Sequence, residues 1–440
     1  MTSNAISDND QKYEKRVQEK MLLIKNGRIL GAPEYTSDLL IDGEKIVAIE
    51  ENIEESDDML ILDAAGLVVA PGLVDMHVHF REPGFEYKED MLTGAQAAAA
   101  GGVTTCCQMP NTNPVIDNAG AIRQAADRAT EAAVTVLTIG AVTMGQKGEE
   151  LTNFVALKAA GAVALSDDGN PIQNARLARL AMQLAKDQDL LIISHCEDAD
   201  LVSNFPVNEG SASRELRLPG RPAIAEEIMV ARDALLAMET GARLHIAHVS
   251  TARSVEIIRR AKEAGANITA ETCPQYFTLT EEEVLKQGSL AKVNPPLRTQ
   301  SDVDAIIQGL AEGTIDAIAT DHAPHSNEEK ARELMDAPSG MIGLETFLGL
   351  ALTRLYHSGV MGLEQLISLM STNPARILGL PAGTLAVNGN ADIVIFDPEE
   401  QWTVDPERFL SKSRNTPFAS MELRGKVKYT VSRGKVVYNN

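Results

Sequence analysis

The rhythm of hydrophobic and polar positions changes twice along this chain. From Met21 the apolar residues come in short runs: Leu22-Leu23-Ile24, Ile29-Leu30, Leu39-Leu40-Ile41 and Ile46-Val47-Ala48-Ile49. Asn26-Gly27 and Asp42-Gly43 lie between them. Short runs bounded by such dipeptides predict β-strands joined by hairpins. The same rhythm returns near the other end, in Ile393-Val394-Ile395-Phe396 and in the stretch from Lys426 through Ser432-Arg433-Gly434 to Tyr438. The phrase Ile24-Lys25-Asn26-Gly27-Arg28-Ile29 is echoed by Val431-Ser432-Arg433-Gly434-Lys435-Val436. Both ends are therefore expected to join into one β-sandwich.

Between them an apolar run, a polar turn and a stretch of helical spacing recur. Strands are expected around 66–79, 103–109, 134–139, 162–165, 190–194, 243–247, 267–271 and 314–319. Helices are expected over 88–100, 119–133, 149–160, 174–186, 223–240, 252–264 and 302–312. Eight strands alternating with helices is the count of a (β/α)8 barrel, the TIM-like α/β fold of roughly 250 residues. The expected division is a polar extension over 1–20, sandwich over 21–70, barrel over 71–380 and the rest of the sandwich over 381–440.

Composition narrows the classes of function. Lys and Arg number 40 against 62 Asp and Glu, for a net charge of −22. A surface that acidic argues against nucleic acid and anionic membranes as partners. Any anionic substrate must then be received by a local basic pocket. Cys106, Cys107, Cys196 and Cys273 show no metal or redox spacing, so they are expected to be reduced thiols in a cytoplasmic protein. The first twenty residues lack the apolar stretch of a secretory signal, and no run of 18 apolar residues exists to span a membrane.

Candidate chemistry falls at the strand ends, where barrel enzymes carry their sites. His77 and His79 alternate and so face one side of the first strand. Asp168 follows the fourth strand, His195 the fifth, His248 the sixth and Asp321 the eighth. Each alone has a duller explanation, as a hydrogen-bonded core histidine or a turn aspartate. Together at one rim they make the donor set of a divalent metal. Of the eight histidines, only His357 lies clearly away from that rim. Arg81, two residues beyond His79, points to an anionic substrate.

Two stretches carry a resemblance. Asp75-Met76-His77-Val78-His79-Phe80-Arg81-Glu82-Pro83-Gly84 resembles the first signature of cyclic amidohydrolases. Ala319-Thr320-Asp321-His322-Ala323-Pro324-His325 through Lys330 resembles the second signature of dihydroorotases. From Met21 to the C-terminus the chain is most similar to the bacterial class I members. The resemblance implies one or two Zn2+ per subunit: His77, His79 and Asp321 on one, His195 and His248 on a second, Asp168 between. Many relatives bridge the metals with a carboxylated lysine after strand four. Here that strand ends Leu165-Ser166-Asp167-Asp168-Gly169. Family spacing favours Asp168 as the bridge, with Asp167 as fallback. The missing lysine counts against hydantoinases and most allantoinases.

The implied reaction is reversible closure of N-carbamoyl-L-aspartate to (S)-dihydroorotate plus water, a step in pyrimidine (UMP) synthesis. In the ring-opening direction the metal brings the pKa of water down to roughly 7, and hydroxide attacks the ring amide. Asp321 is the expected general base and then acid. His79, Arg81, Asn111, Asn294, His325 and the Ser339-Gly340 turn are the implied substrate contacts. Without the resemblance, Asn111 and Asn294 read as turn residues beside proline. The polar segment from His325 to Gly340 is a candidate mobile cover. A homodimer is expected, and association with aspartate transcarbamoylase is open. Two rival readings are another cyclic amidase, such as an allantoinase or dihydropyrimidinase, and a non-catalytic scaffold subunit. Arg81 argues against the first, and the complete ligand set argues against the second.

Overall fold

A computed structural model describes residues 20–31, 37–203 and 205–440. The expected polar extension over 1–20 lies, apart from Lys20, outside the described residues. Eight parallel strands form the centre: β1 (Leu73–Val78), β2 (Val103–Gln108), β3 (Thr135–Thr138), β4 (Ala164–Ser166), β5 (Leu191–Ser194), β6 (Leu244–Ile246), β7 (Ile268–Thr272) and β8 (Ala317–Ile318). Consecutive strands pair within two sheets, β1–β3 and β4–β8. Parallel bridges Gly140↔Leu165 and Val78↔His322 join the sheets at both edges, so the eight strands succeed one another round a ring. Asp75 ties the second seam. Its carboxylate accepts from the Thr320 N–H at 3.1 Å and the Thr320 hydroxyl at 2.5 Å.

The interior of the ring is filled by Val74, Met76, Cys107, Met109, Ile139, Ala164, Leu191, Ile193 and Ala319. A larger apolar cluster lies between strands and helices. Strands buried on both faces read as continuous apolar runs, which is why this part of the sequence is legible. The helices begin where a side chain can satisfy the free N–H groups of the first turn. Asn153 caps Phe154–Ala160, so the helix expected from 149 starts later; Asp90 caps Met91–Ala100 in the same way.

Strands from both ends of the chain form two facing sheets. Lys45–Glu50, Asp38–Asp42, Met21–Lys25 and Met59–Asp63 make one; Lys435–Asn439, Glu422–Ser432, Ile393–Thr403, Val68–Pro71 and Arg28–Ile29 make the other. Leu22, Ile24, Leu39, Ile41, Ile393, Ile395 and Val431 pack between them. One expectation fails. Asn26-Gly27 is not a hairpin turn: it carries the chain from the first sheet to the second, where Arg28 pairs with Val68. Its echo, Arg433-Gly434, is a true two-residue hairpin, with φ of 51° and 73° and Ser432 opposite Lys435. The two phrases share a local shape but not a topology.

Candidate active site

The site forms at the C-terminal rim of the barrel. β1 has an extra residue relative to β2 between Asp75 and Val78. This bulge lets Met76 pack in the interior layer while His77 and then His79 also turn inward. Around them stand the ends of β4, β5, β6 and β8. His77 Nε2 lies 3.5 Å from Asp168 and 3.6 Å from Asp321. His79 Nε2 lies 3.0 Å from Asp321 Oδ1 and 3.4 Å from Asp168 Oδ2. Asp168 Oδ1 is also 3.4 Å from His195 Nδ1 and 3.3 Å from His248 Nε2, and those two nitrogens are 2.8 Å apart. All six donors expected from the sequence thus converge, with Asp168 at the centre. Asp167, the fallback, faces away; its carboxylate accepts from the N–H groups of Val142 and Thr143 and from the Thr143 hydroxyl.

This donor set fits a divalent ion. Ligands bound tetrahedrally at roughly 2.0–2.1 Å stand roughly 3.3–3.5 Å from one another. In two sets of three, His77-His79-Asp321 and His77-Asp168-His248, the donor atoms all lie within 4.8 Å of one another. His77 Nε2 is buried and has no hydrogen-bond partner, while His77 Nδ1 lies 2.7 Å from Glu271 Oε1. Glu271 thereby holds the proton on Nδ1 and leaves the Nε2 lone pair free for a metal. Electrostatics agree. Burial resists charge on His77, yet Asp168 and Glu271 carry its imidazole well above the ordinary value. Burial likewise opposes charge on Asp168, yet His77, His195 and His248 hold it well below the usual carboxylate range. The cluster is arranged to neutralise a cation.

Above the donors opens a cavity of about 210 Å3. Its lining includes Arg81, Asn111, Asn294, His325, Ser339 and Gly340, beside His79, Asp168, His195, His248 and Asp321. Of the ligand and substrate residues expected from the sequence, His77 and the fallback Asp167 do not line it. Arg81 gets there by a turn with φ of 63°, not by strand alternation. Asp321 (φ 48°) and His248 (φ 35°) share the left-handed region that non-glycine residues avoid. Each such residue costs of order 1–3 kcal/mol, a strain that clusters at functional sites. Burial lowers the Arg81 guanidinium to about 10, against the pull of Asp321 and Asp168, so it stays a cation at neutral pH.

Several polar partners are fixed by the protein itself. Asn111 Oδ1 lies 2.8 Å from His79 Nδ1, so one side of Asn111 orients a metal-type ligand. Asn294 Nδ2 is 3.3 Å from His195 Nε2, and its Oδ1 accepts from Arg221. His325 Nε2 donates to the Ser339 carbonyl at 2.9 Å. Burial, then the nearby cations Arg81, Lys88 and Lys330, push the His325 imidazole far down and keep it neutral. Gly340 has both backbone groups engaged: its N–H donates to Lys292 O, and its carbonyl accepts from Lys330 and Asn415. Its part in the cavity is open space. At φ 133°, an added Cβ would meet Ala323 at 2.8 Å and His325 Nε2 at 3.1 Å.

Sequence reading missed Glu271, Arg221 and Asn415. Glu271 was visible in principle, as a lone carboxylate in an otherwise uncharged strand end. Its bonds to His245 and His77 overcome burial and bring it down to about 2. Arg221 lies on the two-residue strand Gly220–Arg221 and Asn415 in an irregular segment, both too short or too irregular to carry a periodic signal.

The dihydro-orotase-like family model matches residues 45–254, and the amidohydrolase family model matches 234–438. The chain is 49% identical to a dihydroorotase of Clostridium acetobutylicum, over 96% of this chain and 100% of that one. It is 51% identical to a dihydroorotase of Pelotomaculum thermopropionicum, over 94% and 98%. Among solved structures it resembles the dihydropyrimidinase of Brevibacillus agri (TM-score 0.83, 26% identity, covering 96% and 95%). It also resembles the L-hydantoinase of Arthrobacter aurescens (TM-score 0.84, 26% identity, covering 95% and 96%). Both are similar in architecture, at about half the sequence identity of the dihydroorotases.

Proposed function

The chain belongs to the dihydroorotase family, and from that premise we propose how its own residues carry the reaction, reversible closure of N-carbamoyl-L-aspartate to (S)-dihydroorotate plus water. It is a hydrolase of cyclic amides serving pyrimidine biosynthesis. His77, His79 and Asp321 would hold one divalent ion, and His195 and His248 a second, with Asp168 shared. We take the ion to be zinc, which when bound polarises the ring carbonyl and brings the pKa of water down to roughly 7. Asp321, on the cavity floor, accepts the proton of the attacking water and passes it to the departing ring nitrogen. In the closing direction it moves the same proton the other way. Arg81 binds the ring carboxylate through charge-assisted hydrogen bonds. His79, Asn111, Asn294, His325, Ser339 and Gly340 shape the ring site around it.

The observation that carries this reading is a single one: a half-buried Arg81, cationic at neutral pH, shares one small cavity with five of the six metal-type donors. A hydantoin or dihydrouracil ring offers that guanidinium no carboxylate. Replacing Arg81→Met should lower kcat/KM for dihydroorotate about 10- to 100-fold, the range of one or two charge-assisted bonds. Equal loss on dihydrouracil, which lacks the carboxylate, would contradict it.

We further propose that the hydrolase unit spans 71–380, flanked by sheets from 21–70 and 381–440. No helix among the described residues is long and apolar enough to cross a membrane, and we assign the protein to the cytoplasm. A homodimer is supported by an apolar surface on two neighbouring helices, Ala175–Asp187 and Ile224–Thr240, which the Arg179–Glu239 pair spans. Leu180, Leu184, Ile228 and Leu235 are all exposed there. Association with an aspartate transcarbamoylase rests on the family resemblance alone.

A further inference from the structure

Lys330 is only 5% exposed. Its Nζ donates to the carbonyls of Gly340 at 2.9 Å, Pro338 at 3.0 Å and Lys292 at 3.5 Å. Among the described residues it pairs with no carboxylate; the neighbouring Glu329 is taken by Lys88 at 2.9 Å. A buried ammonium without a counter-ion is costly, and three carbonyl dipoles offset that cost only in part. Two of the three carbonyls flank Ser339, which lines the cavity along with Arg81. The third, Lys292 O, also accepts the Gly340 N–H at 2.9 Å. One cation thus fastens both ends of the Pro338-Ser339-Gly340 turn to the segment that leads to Asn294. The same bonds pin the 325–340 segment that the sequence offered as a mobile cover.

We infer that Lys330 is a positioning residue, which sets the Ser339–Gly340 wall of the substrate cavity and so governs substrate affinity. The inference rests on that cavity being the dihydroorotate site. Burial, with Lys292 close by and Glu329 opposing, lowers the ammonium to about 7. The other charged or titratable groups around this wall are Lys292 with Arg221 and Asp336 near it, Glu329, Lys88, Arg81 and His325. Below pH 7 Lys330 is therefore charged and the wall is held. As pH rises through 7 it loses a proton and one donor, and the wall loosens.

The test compares the metal-loaded full chain with its Lys330→Met variant, with N-carbamoyl-L-aspartate as substrate at pH 6 and pH 8.5. At pH 6 the variant's KM should rise about tenfold, the scale of one lost charge-assisted bond, with kcat within about threefold and metal content unchanged. At pH 8.5 the gap in KM should narrow. A variant with lowered Tm but wild-type KM at pH 6 overturns the inference, since a merely structural lysine would behave that way. Amide exchange at Gly340 in the unaltered protein needs no variant. After correction for intrinsic rates it should quicken between pH 6 and 8.5, and a flat profile overturns the inference. Failure of the unaltered protein to turn over carbamoyl aspartate would strike the dihydroorotase reading instead, and the exchange measurement would still judge Lys330.

Discussion

Asp167 and Asp168 are neighbours in sequence, and only their surroundings separate their work. Asp168 faces four imidazoles, while Asp167 accepts three bonds from Val142 and Thr143. Asp168→Ala should therefore abolish binding of the second ion. Asp167→Ala should keep full metal content and lose about 3 kcal/mol of stability, about 1 kcal/mol for each buried hydrogen bond. Metal analysis and thermal unfolding of the two variants read this out side by side. Glu271 acts one layer further back. Glu271→Gln weakens its hold on the His77 tautomer and should reduce zinc affinity about 10- to 100-fold in chelator competition, the usual cost of losing a carboxylate behind a ligating histidine. An unchanged affinity would make Glu271 a structural residue only. At this scale the sequence was most legible where a residue type and its position agreed. Histidines at strand ends announced themselves, whereas Glu271 looked like one more residue of a buried strand.

At the scale of elements, alternation was a good guide to strands and a poor one to the turns that leave them. It placed β1 and predicted that His77 and His79 share a side. It did not foresee the bulge that brings Met76 and His77 inward together. Nor did it foresee the left-handed turns at Arg81, His248 and Asp321. Those conformations are imposed by the closed ring around them, so no local pattern encodes them. Asn26-Gly27 fails for a related reason: a turn dipeptide specifies a local bend, not which sheet each arm will join. The turn at Gly340 yields a prediction at this scale. Gly340→Ala puts a Cβ against Ala323 and His325 at a φ of 133°, a strain of order 1–3 kcal/mol. KM for dihydroorotate should rise with little change in metal content, and an unaltered KM would show that the wall tolerates a side chain.

For the whole molecule, architecture and chemistry part company. The barrel and its flanking sheets are shared with a dihydropyrimidinase and a hydantoinase at 26% identity, so the fold alone leaves the substrate open. A short set of residues at one rim narrows it. The net charge of −22 repels an anionic substrate at a distance, and Arg81 answers it locally. The same acidic surface exposes apolar side chains on the helices carrying Leu184 and Leu235. Replacing both, Leu184→Glu with Leu235→Glu, should shift the protein from dimer to monomer in sedimentation, and a persistent dimer would move the interface elsewhere. The central claim is that this metal site acts on a ring bearing a carboxylate. Its most direct test is kcat/KM of the metal-loaded protein for dihydroorotate against dihydrouracil. Dihydroorotate should be preferred by at least about a hundredfold, as expected when a half-buried charged partner would be left unpaired by the wrong substrate. Turnover of dihydrouracil without turnover of dihydroorotate would contradict the account.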